Sequence, residues 1–103
     1  MYLSEKEREI IRVFMTNLDM YIKEEMKLVW KDGSMVVARF DTCFDDDNDL
    51  EMDDPKYEEY VSFVFEVISV MGKPPVYITE DEYFCVSYHN FPDEIIADNK
   101  KIN

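Results

Sequence analysis

Apolar residues recur first at helical spacing along this chain and then at strand spacing. Ile10, Ile11, Phe14, Leu18, Tyr21 and Ile22 lie three or four positions apart, which gathers them on one helix face. Glu9, Arg12, Asn17, Asp19 and Lys23 fall on the other faces. Ser4-Glu5-Lys6-Glu7 just ahead has the form of a capping box, in which hydroxyl and carboxylate each take a backbone N–H of the first turn. Glu5 and Glu7 also suit the positive end of the helix dipole. The pattern predicts an amphipathic helix over 5–24, with its stripe buried in the core.

The period then drops to two. Met26, Leu28 and Trp30 alternate with Lys27, Val29 and Lys31, and Val36, Ala38 and Phe40 alternate with Val37, Arg39 and Asp41. Asp32-Gly33 separates the runs, and glycine supplies the positive φ a tight hairpin needs. Val61, Phe63, Phe65 and Val67 alternate with Ser62, Val64, Glu66 and Ile68, in a run rich in β-branched and aromatic residues. Phe84, Val86 and Tyr88 share a face of another run. The predicted strands are 26–31, 35–44, 60–70 and 83–89, joined in the middle by an acidic loop over 45–56. Val76-Tyr77-Ile78 is a further short candidate, and 91–103 fits either a short helix opened by Pro92 or an edge strand at Ile95-Ile96.

Strands that follow one another without intervening helices form an antiparallel sheet. The expected fold class is α+β: one domain over 1–103, an N-terminal helix and then a four- to five-stranded, strongly bent sheet curling into a small SH3-like barrel. The stretch from Met26 through the Asp32-Gly33 turn to Asp45, Asn48 and Leu50 resembles the first motif of Sm-like proteins, and the preceding helix fits that family's order. Ala38 stands where that family has the glycine that bends its second strand. The resemblance implies the small-barrel fold and edge-to-edge assembly. The basic element of the family's second motif is replaced by Phe84-Cys85-Val86-Ser87-Tyr88-His89-Asn90, so the RNA-binding activity is not implied.

Charge narrows the functions. With 24 acidic against 11 basic residues, the net charge of −13 repels nucleic-acid phosphates and anionic membranes and favours a basic protein surface. No secretory signal is visible and the two cysteines, Cys43 and Cys85, form no CxxC, which together point to free thiols in a cytoplasmic protein. That same charge opposes stacking of many copies, so a monomer or homodimer is expected.

Candidate chemistry fails position by position. Asp45, Asp47, Asp49, Glu51 and Asp53 imitate a calcium loop, but Leu50 or Met52 occupies the required glycine position, depending on the register. His89 is the only histidine, which rules out a two-histidine zinc site within one chain. Cys85 and His89, four apart on a strand, would stand about 13 Å apart, too far for proton transfer. Two glycines cannot build a phosphate loop. No metal, no cofactor and no catalytic residue is expected.

The sequence therefore reads as a non-catalytic, acidic interaction domain that binds a protein partner. The residues expected to meet it are Asp45, Asp46, Asp47, Asp49, Glu51, Asp53, Asp54, Tyr57 and Tyr60, with Tyr83, Tyr88 and Phe91 as further aromatic contacts. The alternative is a nucleic-acid mimic, of the kind phages encode, whose carboxylates stand in for phosphates and inhibit a DNA- or RNA-binding enzyme.

Overall fold

A computed structural model describes residues 3–72 and 82–103. Helix α1 (Glu5–Tyr21) is followed by strands β1 (Glu25–Val29), β2 (Met35–Asp47), β3 (Glu59–Val70), β4 (Tyr83–Val86), β5 (Glu94–Ala97) and β6 (Lys100–Lys101). The Val76-Tyr77-Ile78 candidate lies outside the described residues.

The α+β class holds, but the sheet is not the expected small barrel. Among the described residues it is an open antiparallel sheet of six strands in the order β4-β3-β2-β1-β5-β6. Two bulges bend it: Ile68 is the extra residue on β3 between the Val37 and Ala38 pairs, and Asp41 is the extra residue on β2. The bend does not bring the edges together, since β4 and β6 lie at opposite ends of the order and are only four and two residues long.

The alternations place the core on one face. Met26 and Leu28, Val36 and Ala38, Val61, Phe63 and Phe65, and Phe84 and Val86 are buried there against Ile11, Phe14 and Leu18 of α1. Phe14 is the centre of the packing, with its ring 5.8 Å from Phe63 and 5.5 Å from Phe91. Ile10 and Ile22, expected in the stripe, are exposed, because the apolar seam of α1 is only one row wide.

Several predicted boundaries move. The helix stops at Tyr21 rather than 24, where Glu24 N–H turns back onto the Tyr21 carbonyl at 3.0 Å. Strand β2 runs on through Asp45, Asp46 and Asp47, because its ladder with β3 continues to the Asp47–Glu59 pair and needs no buried side chain to do so. Only 48–58 remains a loop. Strand β4 ends at Val86 rather than 89, since Ser87 N–H donates to Asn90 Oδ1 at 2.8 Å and turns the chain. The chain end, left between helix and edge strand, forms β5 and β6 about a two-residue turn at Asp98 and Asn99, both with positive φ. Strand β5 is not an edge: it pairs with β1 as well as β6 and buries Ile95 and Ala97.

Candidate functional site

The unequal lengths of the strands build the site. Strand β1 accompanies β2 only as far as the Glu25–Arg39 pair, and β4 accompanies β3 only from Phe63 to Glu66. The far ends of β2 and β3, Phe44–Asp47 and Glu59–Ser62, therefore continue as a two-stranded acidic arm. The amino end of α1 meets the arm on its core-facing side. Glu7, 1% exposed, accepts from Ser4 N–H at 3.1 Å with one oxygen and from Val61 N–H at 2.8 Å with the other. The predicted capping box is present in full. A cleft of about 300 Å³ lies where helix and arm meet, lined by Ser4, Glu7, Asp45, Glu59 and Tyr60.

The carboxylates of the acidic stretch divide into two groups. Asp46 accepts from its neighbour Asp47 N–H at 2.8 Å and from the Ser62 hydroxyl at 3.0 Å. Asp47 Oδ1 accepts from Asp49 N–H and Asp54 Oδ1 from Lys56 N–H, both at 2.8 Å. Asn48 bridges the loop, donating to the Lys56 carbonyl at 2.8 Å and accepting from Glu58 N–H at 3.2 Å. These side chains hold the turn in shape, as short polar residues do by competing for backbone groups. Asp45, Asp49, Glu51 and Asp53 are exposed, and among the described residues their carboxylates take part in no hydrogen bond or ion pair. They form the solvent-facing negative charge of this part of the chain.

Of the two flanking tyrosines, Tyr57 donates to Glu59 Oε1 at 3.0 Å, and that bond pushes its hydroxyl pKa up. Tyr60, half-buried, donates to the Asp47 carbonyl at 3.0 Å. Burial and then the neighbouring Asp46, Asp49 and Asp47 raise its pKa.

A cluster that sequence reasoning missed ties the arm to the turn after β4. Glu58 Oε2 accepts from the Tyr88 hydroxyl, and Glu58 Oε1 meets His89 Nε2 at 2.6 Å. His89 Nδ1 lies 2.9 Å from the Ser87 hydroxyl, and its ring stands edge-on to Tyr60 at 4.8 Å and tilted against Tyr88 at 4.1 Å. The Tyr88 hydrogen bond, followed by His89, holds the Glu58 carboxyl below the usual range against a smaller opposing effect of burial. The same bond pushes Tyr88 up to about 12. Glu58 is thirty residues from its partners, so no local spacing announces them. Only the β3–β4 register could have.

Other expectations are redrawn. Phe91 is no surface contact: it is 8% exposed and packs on Phe14 and Phe63. His89 leaves the strand for the turn. Both cysteines are free, Cys43 half-buried and Cys85 exposed. Burial, then Asp45 beside Cys43 and Asp46 beside Cys85, raises both thiol pKa values, which suppresses thiolate chemistry. Among the described residues, no group of three or more His, Cys, Asp or Glu could hold a metal, and no helix is long and apolar enough to cross a membrane.

Comparison with known proteins supplies the setting for this surface. Residues 10–102 match the model of a family described as cognate immunity protein YxxD. Neither the curated proteins nor the solved structures contain a match to the chain.

Proposed function

Because the chain belongs to the YxxD cognate immunity protein family, we propose that it neutralises a partner toxin by presenting its acidic arm to a basic surface on that toxin. The match covers the whole sheet and most of α1, and so both strands of the arm. An immunity protein acts by occupying its toxin, which agrees with the non-catalytic character read from the sequence.

The observation that carries the reading is the division of carboxylates on the arm. Asp46, Asp47 and Asp54 fix the loop, leaving Asp45, Asp49, Glu51 and Asp53 to solvent in a defined arrangement. Preorganised charge of one sign steers association with an oppositely charged partner and fixes its register. Tyr57 and Tyr60 supply apolar area at low entropic cost beside those charges. One copy presents the whole arm, so a monomer suffices.

Co-expression tests the proposal. Cells producing the cognate toxin should grow when they also produce the wild-type chain, and should lose protection with Asp45→Asn, Asp49→Asn and Asp53→Asn combined. Full protection by that triple variant, at equal protein level, would remove the arm from the interface. If the toxin acts on nucleic acid, competition between the chain and that nucleic acid would mark the arm as a phosphate mimic.

A further inference from the structure

The two sides of the arm are finished differently. On the β3 side, beyond the end of β4, Glu7 takes the Val61 N–H, and the Ser87–Asn90 turn is fastened through Glu58. On the β2 side, past the Glu25–Arg39 pair, no strand lies beside residues 40–47 among the described residues.

The register identifies the backbone groups left over. Asn48 N–H points inward, to the Glu58 carbonyl, while Val61, opposite Asp45, turns its N–H away from β2 to Glu7. Antiparallel residues alternate between bonding their partner strand and facing the other way. Thr42, Phe44 and Asp46 therefore bond to β3, and Cys43, Asp45 and Asp47 aim N–H and C=O at the open edge. Asp47 is already served, by Asp46 Oδ1 at 2.8 Å and by the Tyr60 hydroxyl at 3.0 Å. Cys43 C=O has only the Thr42 hydroxyl at 3.5 Å, and its N–H and both groups of Asp45 have no partner among the described residues.

We propose that this edge, centred on Cys43 and Asp45, receives an extended basic segment of the toxin as an added strand. Strand addition gives affinity through main-chain hydrogen bonds and specificity through alternate side chains. The side chains on either face decide the occupant. Asp45 and Asp47 pair with Val61 and Glu59 on the core-facing side, and Asp46 lies on the opposite side with Phe44. A second copy of this chain would set these aspartates against themselves, and like charges opposite one another destabilise a ladder. A strand bearing Lys or Arg at alternate positions meets them favourably. The inference rests on the arm being the toxin-binding surface and adds the backbone as the means of attachment.

Amide hydrogen exchange of the full ¹⁵N-labelled chain tests it, with an octapeptide of alternating lysine and threonine as probe. A second peptide of the same sequence, N-methylated at every amide, keeps the charge but has no N–H for the edge carbonyls, and its methyl groups hold its own carbonyls away from the Cys43 and Asp45 N–H groups. The expected result is severalfold slower exchange at the Cys43 and Asp45 amides with the first peptide and not with the second. Equal slowing by both peptides, or none at Cys43 and Asp45 with either, would overturn strand addition. Failure here with loss of protection in the triple aspartate variant would leave a toxin interface made by side chains alone, so the two readings fall separately.

Discussion

Glu7 joins the start of the helix to the edge of the sheet: one carboxylate oxygen accepts from Ser4 N–H at 3.1 Å and the other from Val61 N–H at 2.8 Å. Removing that carboxylate takes away the reciprocal half of the capping box, leaving the Ser4 hydroxyl cap, and strips a buried strand donor of its partner. Glu7→Ala is expected to cost about 2–4 kcal/mol, from the lost bond to Ser4 N–H together with an unsatisfied buried N–H. Glu7→Gln keeps one acceptor oxygen and should cost about 1–2 kcal/mol, again from the price of a single unmade bond. Urea unfolding of the two variants checks both values, and exchange at Val61 should accelerate more than at Phe63.

Phe14 is the helix's aromatic contribution to the core, and its removal should be felt throughout. Phe14 is fully buried and meets the rings of Phe63, Phe65 and Phe91. Phe14→Ala is expected to destabilise the fold by about 3–5 kcal/mol through lost burial and the cavity left behind. Thermal unfolding measures it, and an effect below 1 kcal/mol would contradict the packing described.

Gly33 stands at φ +90° in the β1–β2 turn, with open space around the position of a Cβ. The cost of Gly33→Ala is then backbone strain alone, about 1–2 kcal/mol. Denaturant midpoints with an unchanged m-value would confirm that the fold is kept while stability drops.

The cluster around Glu58 makes a pH prediction with a definite sign. Its folded pKa is lowered, so the stabilisation is complete above the carboxyl group's ordinary value and is lost as pH falls through the folded value. Tyr88, raised to about 12, contributes in the opposite sense: its share is complete below the ordinary tyrosine value and is lost as pH rises through about 12. Protection of the Ser87 and His89 amides, exchange taken relative to its intrinsic rate at each pH, should fall at acid pH in the wild-type chain. In Glu58→Gln the acid dependence at these two amides should flatten. Absorbance at 295 nm should show one tyrosine ionising well after the others, and Glu58→Gln should bring it back toward the rest.

What the sequence made legible was whatever depends on local repetition. The capping box at Ser4 and Glu7, the Asp32-Gly33 turn and the alternations from Val61 to Val67 each carry their geometry within a few residues. The open sheet was not legible, because closure depends on where the edge strands end, and β4 and β6 are too short to announce themselves. The acidic stretch carries no apolar alternation from 45 onward, so the pattern alone predicts a loop there. Asp45, Asp46 and Asp47 continue β2 since the ladder with β3 needs only backbone groups and none of the three side chains is buried. Of the nine residues expected to meet a partner, Asp45 and Tyr60 come together at the cleft beside the arm, whereas Asp46, Asp47 and Asp54 are engaged in holding its shape. The Glu58, Tyr88 and His89 cluster was invisible because a contact across thirty residues leaves no spacing to read.

The central claim is that the exposed carboxylates of the arm carry toxin recognition, and calorimetric titration of the cognate toxin against wild type and the Asp45→Asn, Asp49→Asn, Asp53→Asn variant tests it directly. Measured at two salt concentrations, the wild-type affinity should fall steeply as salt rises, since exposed charges are screened beyond about 10 Å at 0.1 M. The triple variant should bind more weakly at low salt and respond less to added salt. Equal affinity and an equal salt response for the two proteins would contradict the account.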